Sequence, residues 1–269
     1  AFDHVTGKIE TGTIHNPHFY QWQKNNNNGH VMRNPGDVLC GGLVPYYTMS
    51  NFLRYVNSYS QSDWFNTIKT DATINSFIRE HDITAINNFT IILMELHRVI
   101  NHLTNVNLVY TREKVRSLAN NDESTVQYIL NRKTKDELST IILKNDTARK
   151  KHTELLNIYE LLSVVGIEKF NNLTQLYLNF VSKNGRLIDD LIKILHSIIS
   201  VIAEYNTLLE YCNKQSVEIS RTYNQSVTLI VMKGHKYEIK TGKFREEDLN
   251  RISKKKGNNN SEASSSTDN

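Results

Sequence analysis

Apolar residues recur at alternating spacings of three and four along much of the chain, most cleanly from Arg186 to about Ile219. There Ile188, Leu191, Leu195, Ile198, Ile202, Tyr205, Leu209 and Cys212 form an unbroken seam. Such a seam lies on one helix face and is how helices pack into bundles and coiled coils. A second seam of Ile86, Phe89, Leu93, Leu96, Ile100 and Leu103 predicts a helix over 84–103. Shorter periodic stretches predict helices over 46–59 and 63–81, the latter dividing in two if Asp71 caps a second helix. A long helix is expected from Asp122 or Ser124 to Val165, with Ile141, Asn145, Ala148, His152, Leu155, Tyr159 and Leu162 on its seam. Gly166 is expected to end it, and a helix over 167–183 to follow. Asp189 and Asp190 then stand in the first turn of the organising helix, where carboxylates complement the macrodipole.

Pro and Gly divide the chain. All three prolines and six of the eleven glycines precede Tyr46, and from Tyr46 to Val165 there is neither. Residues 1–45 therefore read as an irregular, turn-rich segment, packed on the body through Phe2, Phe19, Tyr20 and Trp22. Residues 46–226 read as a helical bundle. In 227–253, a basic segment, the run TLIVMKGHKYEIKT alternates around Gly234 as a β-hairpin or a frayed helix end. Residues 254–269 are almost devoid of apolar side chains and are expected to be a disordered tail. The expected fold is all-α, an irregular multi-helix bundle with long antiparallel helices, because a short link such as Asn184-Gly185 forces antiparallel neighbours. The organising helix is then the spine of an intramolecular bundle, and partner surface is expected at its C-terminal continuation.

Charge sharpens the division. The net +4 hides an asymmetry: residues 1–219 carry 22 basic and 22 acidic side chains, whereas 220–256 carry ten basic and four acidic. Any pull on an anionic partner belongs to that C-terminal segment. Lys236, Lys240, Lys243, Arg245, Lys254, Lys255 and Lys256 are the candidate nucleic-acid contacts, with Tyr237 and Phe244 as rings for base stacking. The plain alternative is a solvated, solubilising tail. Asn145 and His152 interrupt the seam of the long helix, either fixing its register or simply facing water beside Arg149, Lys150 and Lys151.

Candidate chemistry lies near the start. His15, His18, His30 and Cys40 offer three imidazoles and a thiol, the donor set of a tetrahedral zinc site, although the spacing matches no zinc module. Cys40 also precedes a predicted helix between glycines, as a nucleophile would, and would need one of those histidines as base. The alternative is that Val38, Leu39 and Cys40 are buried between two turns. The two cysteines, Cys40 and Cys212, make no disulfide framework and suit a reducing compartment. No run of 18 apolar residues and no secretory leader is legible, so the chain is expected to be intracellular, cytoplasmic or nuclear, with no membrane span.

These features favour a non-catalytic helical scaffold or adaptor that works through a protein partner or self-association and needs no cofactor. The alternatives are a helical nucleic-acid-binding protein using residues 221–256, and a metal- or cysteine-dependent enzyme centred on the N-terminal histidines and Cys40.

Overall fold

A computed structural model describes residues 42–58, 62–181 and 188–249. The fold is all-α with one small sheet. In order, the helices are α1 (Tyr46–Asn57), α2 (Ser62–Ile68), α3 (Ala72–Glu80), α4 (Ile86–His102), α5 (Leu108–Ala119), α6 (Asp122–Ile129), α7 (Lys135–Val181) and α8 (Ile188–Tyr223). A π-helical turn, Leu103–Asn107, joins α4 to α5 without a break. Strands β1 (Val227–Lys233) and β2 (Lys236–Gly242) follow. The described residues form two compact units, those up to 110 with 159–202 and those of 111–158 with 203–249, whose boundaries fall inside α5, α7 and α8.

The first unit owes its core to the predicted seams. Met49, Phe52 and Val56 of α1, Phe89, Leu93, Leu96 and Ile100 of α4, Ile167 and Phe170 of α7, and Leu191, Leu195, Ile198 and Ile202 of α8 are all buried. The 63–81 stretch is two helices, and Asp71 caps the second by accepting from the Ile74 N–H at 3.0 Å. By length and mean hydropathy α8 also reaches the threshold of a membrane span. Its apolar side chains at 191–202 are used in this core.

Gly166 does not end a helix. It lies inside the 47-residue α7, where a Cβ would stand 2.6 Å from Ile100 Cδ1. The glycine is there to let α4 and α7 approach. The break in the expected long helix comes earlier, between α6 and α7. Asn131 takes a left-handed φ of 54°, and the Arg132 N–H reaches back to the Gln127 carbonyl at 2.9 Å. Thr134 and Glu137 then form a reciprocal capping box, Glu137 accepting from the Thr134 N–H at 2.8 Å and Thr134 Oγ1 from the Glu137 N–H at 3.2 Å.

In the second unit, residues 227–242 are a β-hairpin. The C-terminal half of α8 buries Tyr205, Leu209, Cys212, Ser216, Val217 and Ser220, while β1 buries Val227, Leu229 and Ile230. Asn213 binds Ile230 twice, its Nδ2 donating to the Ile230 carbonyl at 2.8 Å and its Oδ1 accepting from the Ile230 N–H at 3.1 Å. The Tyr237 hydroxyl donates to Asn206 Oδ1 at 2.9 Å, and Ser220 Oγ donates to the Gln225 carbonyl at 2.8 Å. Ser216 and Ser220 are thus buried along α8, whereas Ser226, just ahead of β1, is exposed. The continuation of α8, expected to carry a partner surface, is covered from within.

Candidate functional site

His15, His18, His30, Cys40 and Lys254–Lys256 lie outside the described residues, as do residues 1–41 of the segment expected to be irregular (1–45) and the expected tail. Among the described residues no three His, Cys, Asp or Glu side chains are grouped as a metal site would need. Three places nevertheless gather polar chemistry.

In the first unit a cleft of about 630 Å³ is floored by Leu173, Ile199 and Val201 and edged by Thr73, Lys169 and His196. His196 Nε2 lies 2.9 Å from Asp71 Oδ1. The Ile74 N–H holds the Asp71 carboxyl below its ordinary pKa, and His196 adds to the effect. An acid–histidine pair alone is not a catalytic set: it needs a nucleophile. The neighbouring Ser197 hydroxyl is already donated to the Lys193 carbonyl at 3.0 Å.

His97 of α4 is structural. Its Nε2 sits 2.7 Å from the Val44 carbonyl and its ring meets Phe170 edge-on at 5.1 Å. Burial lowers its pKa against the pull of that carbonyl, so it stays a neutral donor. In the second unit burial pushes the Cys212 thiol up to about 11, which keeps it protonated and inert. His152 is pushed down by burial and then by Lys151 and Lys114, and Lys151 donates to Gln225 Oε1 at 2.9 Å. Asn145 is committed as well, donating to Asn121 Oδ1 at 2.8 Å. Of the two seam polars, Asn145 is thus held by a bond of its own, whereas His152 Nδ1 is buried without a hydrogen-bond partner among the described residues.

The third place is the basic hairpin. Lys236 is exposed on β2, and Arg245 is exposed beyond it. Lys240 stands 3.4 Å from Glu238, and Lys243 donates to Asn224 Oδ1 at 3.2 Å. Tyr237, expected as a stacking ring, is buried at 3% exposure and bonded to Asn206. Tyr237 therefore offers no stacking face, while Phe244, the other expected ring, is half-buried just beyond β2.

No family model, curated protein or solved structure matches this chain. Function is therefore argued from these surfaces alone. The feature that sequence periodicity missed is an uncovered one. From Arg112 to Lys150 no side chain is buried, although the span is mostly helical. On α6 and its last turn Val126, Ile129 and Leu130 are 51%, 68% and 54% exposed, and Leu143 of α7 is 68% exposed. The signal was present in the sequence as apolar residues off the main seam.

Proposed function

We propose that the chain is a non-catalytic helical scaffold that acts by associating with other proteins. The stripe Val126, Ile129, Leu130 carries the reading. Its i, i+3, i+4 spacing puts three large apolar side chains on one helix face, and more than half of each remains in water. Apolar helical faces left open in this way serve as grooves or ridges for an amphipathic helix of a partner. Capture of partners from a lysate of the source cells tests it, comparing the wild-type chain with Ile129→Glu/Leu143→Glu. At least one protein is expected to be retained by the wild type and reduced about tenfold or more by the variant, as loss of anchoring side chains implies. Identical retained sets, with unchanged helical circular dichroism, would refute the reading.

A second reading, nucleic-acid contact, draws on charge. Among the described residues the second unit carries 17 basic and 14 acidic side chains, the first six and nine. Phosphate contact predicts binding to duplex or single strands that weakens steeply and log-linearly with salt, and that Lys236→Glu/Arg245→Glu diminishes. Absence of binding at low salt would dispose of it.

A further inference from the structure

The hairpin has one closed edge and one open edge. Lys233 and Lys236 flank a two-residue turn, Gly234-His235, in which Gly234 takes φ +58°. Residues flanking such a turn form a hydrogen-bonded pair, and the pairs alternate from there. Ile230↔Ile239 is accordingly a non-bonded pair, its N–H and C=O groups pointing away from the partner strand. On β1 those outward groups of Ile230 are taken by the Asn213 amide. On β2 the matching groups of Ile239 and Thr241 face the outer edge, and among the described residues no further strand pairs there.

We infer that this edge of β2 pairs with β2 of a second copy, antiparallel about a two-fold axis at Ile239, to make a four-stranded sheet. The sequence of the edge is self-complementary in that register. Ile239, 36% exposed, meets its own copy, and Glu238 of each chain stands opposite Lys240 of the other. Opposite charges directly across a strand pair stabilise it, and like charges oppose it. Moving the axis to Glu238 would set Glu238 against itself and Lys236 against Lys240. Moving it to Lys240 would set that lysine against itself. An axis at Tyr237 would also set Lys236 against Glu238 but would overlap only residues 236–238, so charge together with full overlap of 236–242 selects the register at Ile239, as an isologous interface needs. Glu238 already lies 3.6 Å from Lys233 and 3.4 Å from Lys240 in its own chain, so the pairing would extend an existing row of alternating charge. Open edge strands are templates for such pairing.

A seven-residue edge is a small interface, so the dimer is concentration-dependent. This inference extends the association reading to a separate surface, and the two fail separately. Sedimentation equilibrium of the full chain over a concentration series is expected to show the mass rising from 31.1 kDa toward twice that value. Glu238→Lys alone and Lys240→Glu alone each turn two opposite-charge pairs into like-charge pairs, weakening dimerisation by about tenfold or more. An equimolar mixture of the two variants restores complementarity and is expected to form a heterodimer, as the double exchange E238K/K240E restores the homodimer. A mass fixed at 31.1 kDa throughout the series overturns the proposal. So does a dimer that both single variants leave unchanged, or single-variant losses that neither the mixture nor the double exchange repairs. Dimerisation that Ile129→Glu/Leu143→Glu abolishes and the β2 variants spare would instead place the second copy on the helical face.

Discussion

Asn213→Ala is expected to destabilise the second unit by about 2–6 kcal/mol, the sum of two buried backbone groups left without partners. Both the N–H and the carbonyl of Ile230 are satisfied by this one side chain, and Ile230 is itself only 3% exposed. Water cannot readily replace the amide at that depth. Leucine in its place would preserve volume but leave the same two groups unpaired, so Asn213→Leu should cost nearly as much. That equality separates a hydrogen-bonding role from a space-filling one. The readout is hydrogen exchange of the hairpin amides beside the denaturant midpoint: Leu229–Val231 should exchange faster with α1–α4 unaffected. A loss below about 0.5 kcal/mol, the range of an ordinary surface change, would show that the amide is not what holds β1 to α8.

The same residue explains part of what the sequence could and could not tell. The alternation around Gly234 was legible as a hairpin candidate, because period two and a glycine at a tight turn are local signals. Which strand packs inward was not, because it depends on Asn213 and Asn206, polar residues that a hydrophobic pattern scores as solvent-facing. Ser216 reads likewise as a weakening of the seam, because a small polar side chain scores as solvent-facing, yet it is buried at 2% exposure.

Helix ends were harder still. With no glycine or proline between Tyr46 and Val165, the usual stop signals are absent from most of the chain. Asp82, Asn131 and Asn224 do the work instead, with φ of 51°, 54° and 48°. In each case the following N–H bonds back five residues: Ile83 to Ile78, Arg132 to Gln127, and Gln225 to Ser220. This is the closing geometry usually given to glycine, and Asn and Asp tolerate it because their short polar side chains stabilise the left-handed region locally. In a chain this rich in Asn, the residue type alone does not mark which copy is a stop. Thr134-Lys135-Asp136-Glu137 is a local start signal in the sequence, and it marks where α7 begins. The exposed stripe was weakly legible because Ile129 and Leu130 interrupt no pattern; only their exposure shows that no described residue covers them.

Gly166→Ala is the second substitution with a large expected effect, and here two terms oppose each other. Alanine in a helix interior is worth about 1 kcal/mol over glycine. Against that, the new Cβ would fall 2.6 Å from Cδ1, 2.7 Å from Cγ1 and 3.0 Å from Cγ2 of Ile100. Ile100 is fully buried, and a β-branched side chain on a helix is held to one χ1 rotamer, so it cannot swing clear cheaply. Overpacking of this kind costs about 1–3 kcal/mol, and Gly166→Leu should exceed that range. The net expectation for Gly166→Ala is destabilisation of about 0–2 kcal/mol in the first unit, from those two opposing terms. A helix-ending glycine would also resist alanine, so the single variant does not discriminate. The double-mutant cycle with Ile100→Ala does: room made at Ile100 should recover about 0.5–3 kcal/mol of the alanine penalty as coupling. Strict additivity would mean that the approach of α4 and α7 does not set the requirement for glycine, and stabilisation by the single variant would mean that the contact relaxes without cost.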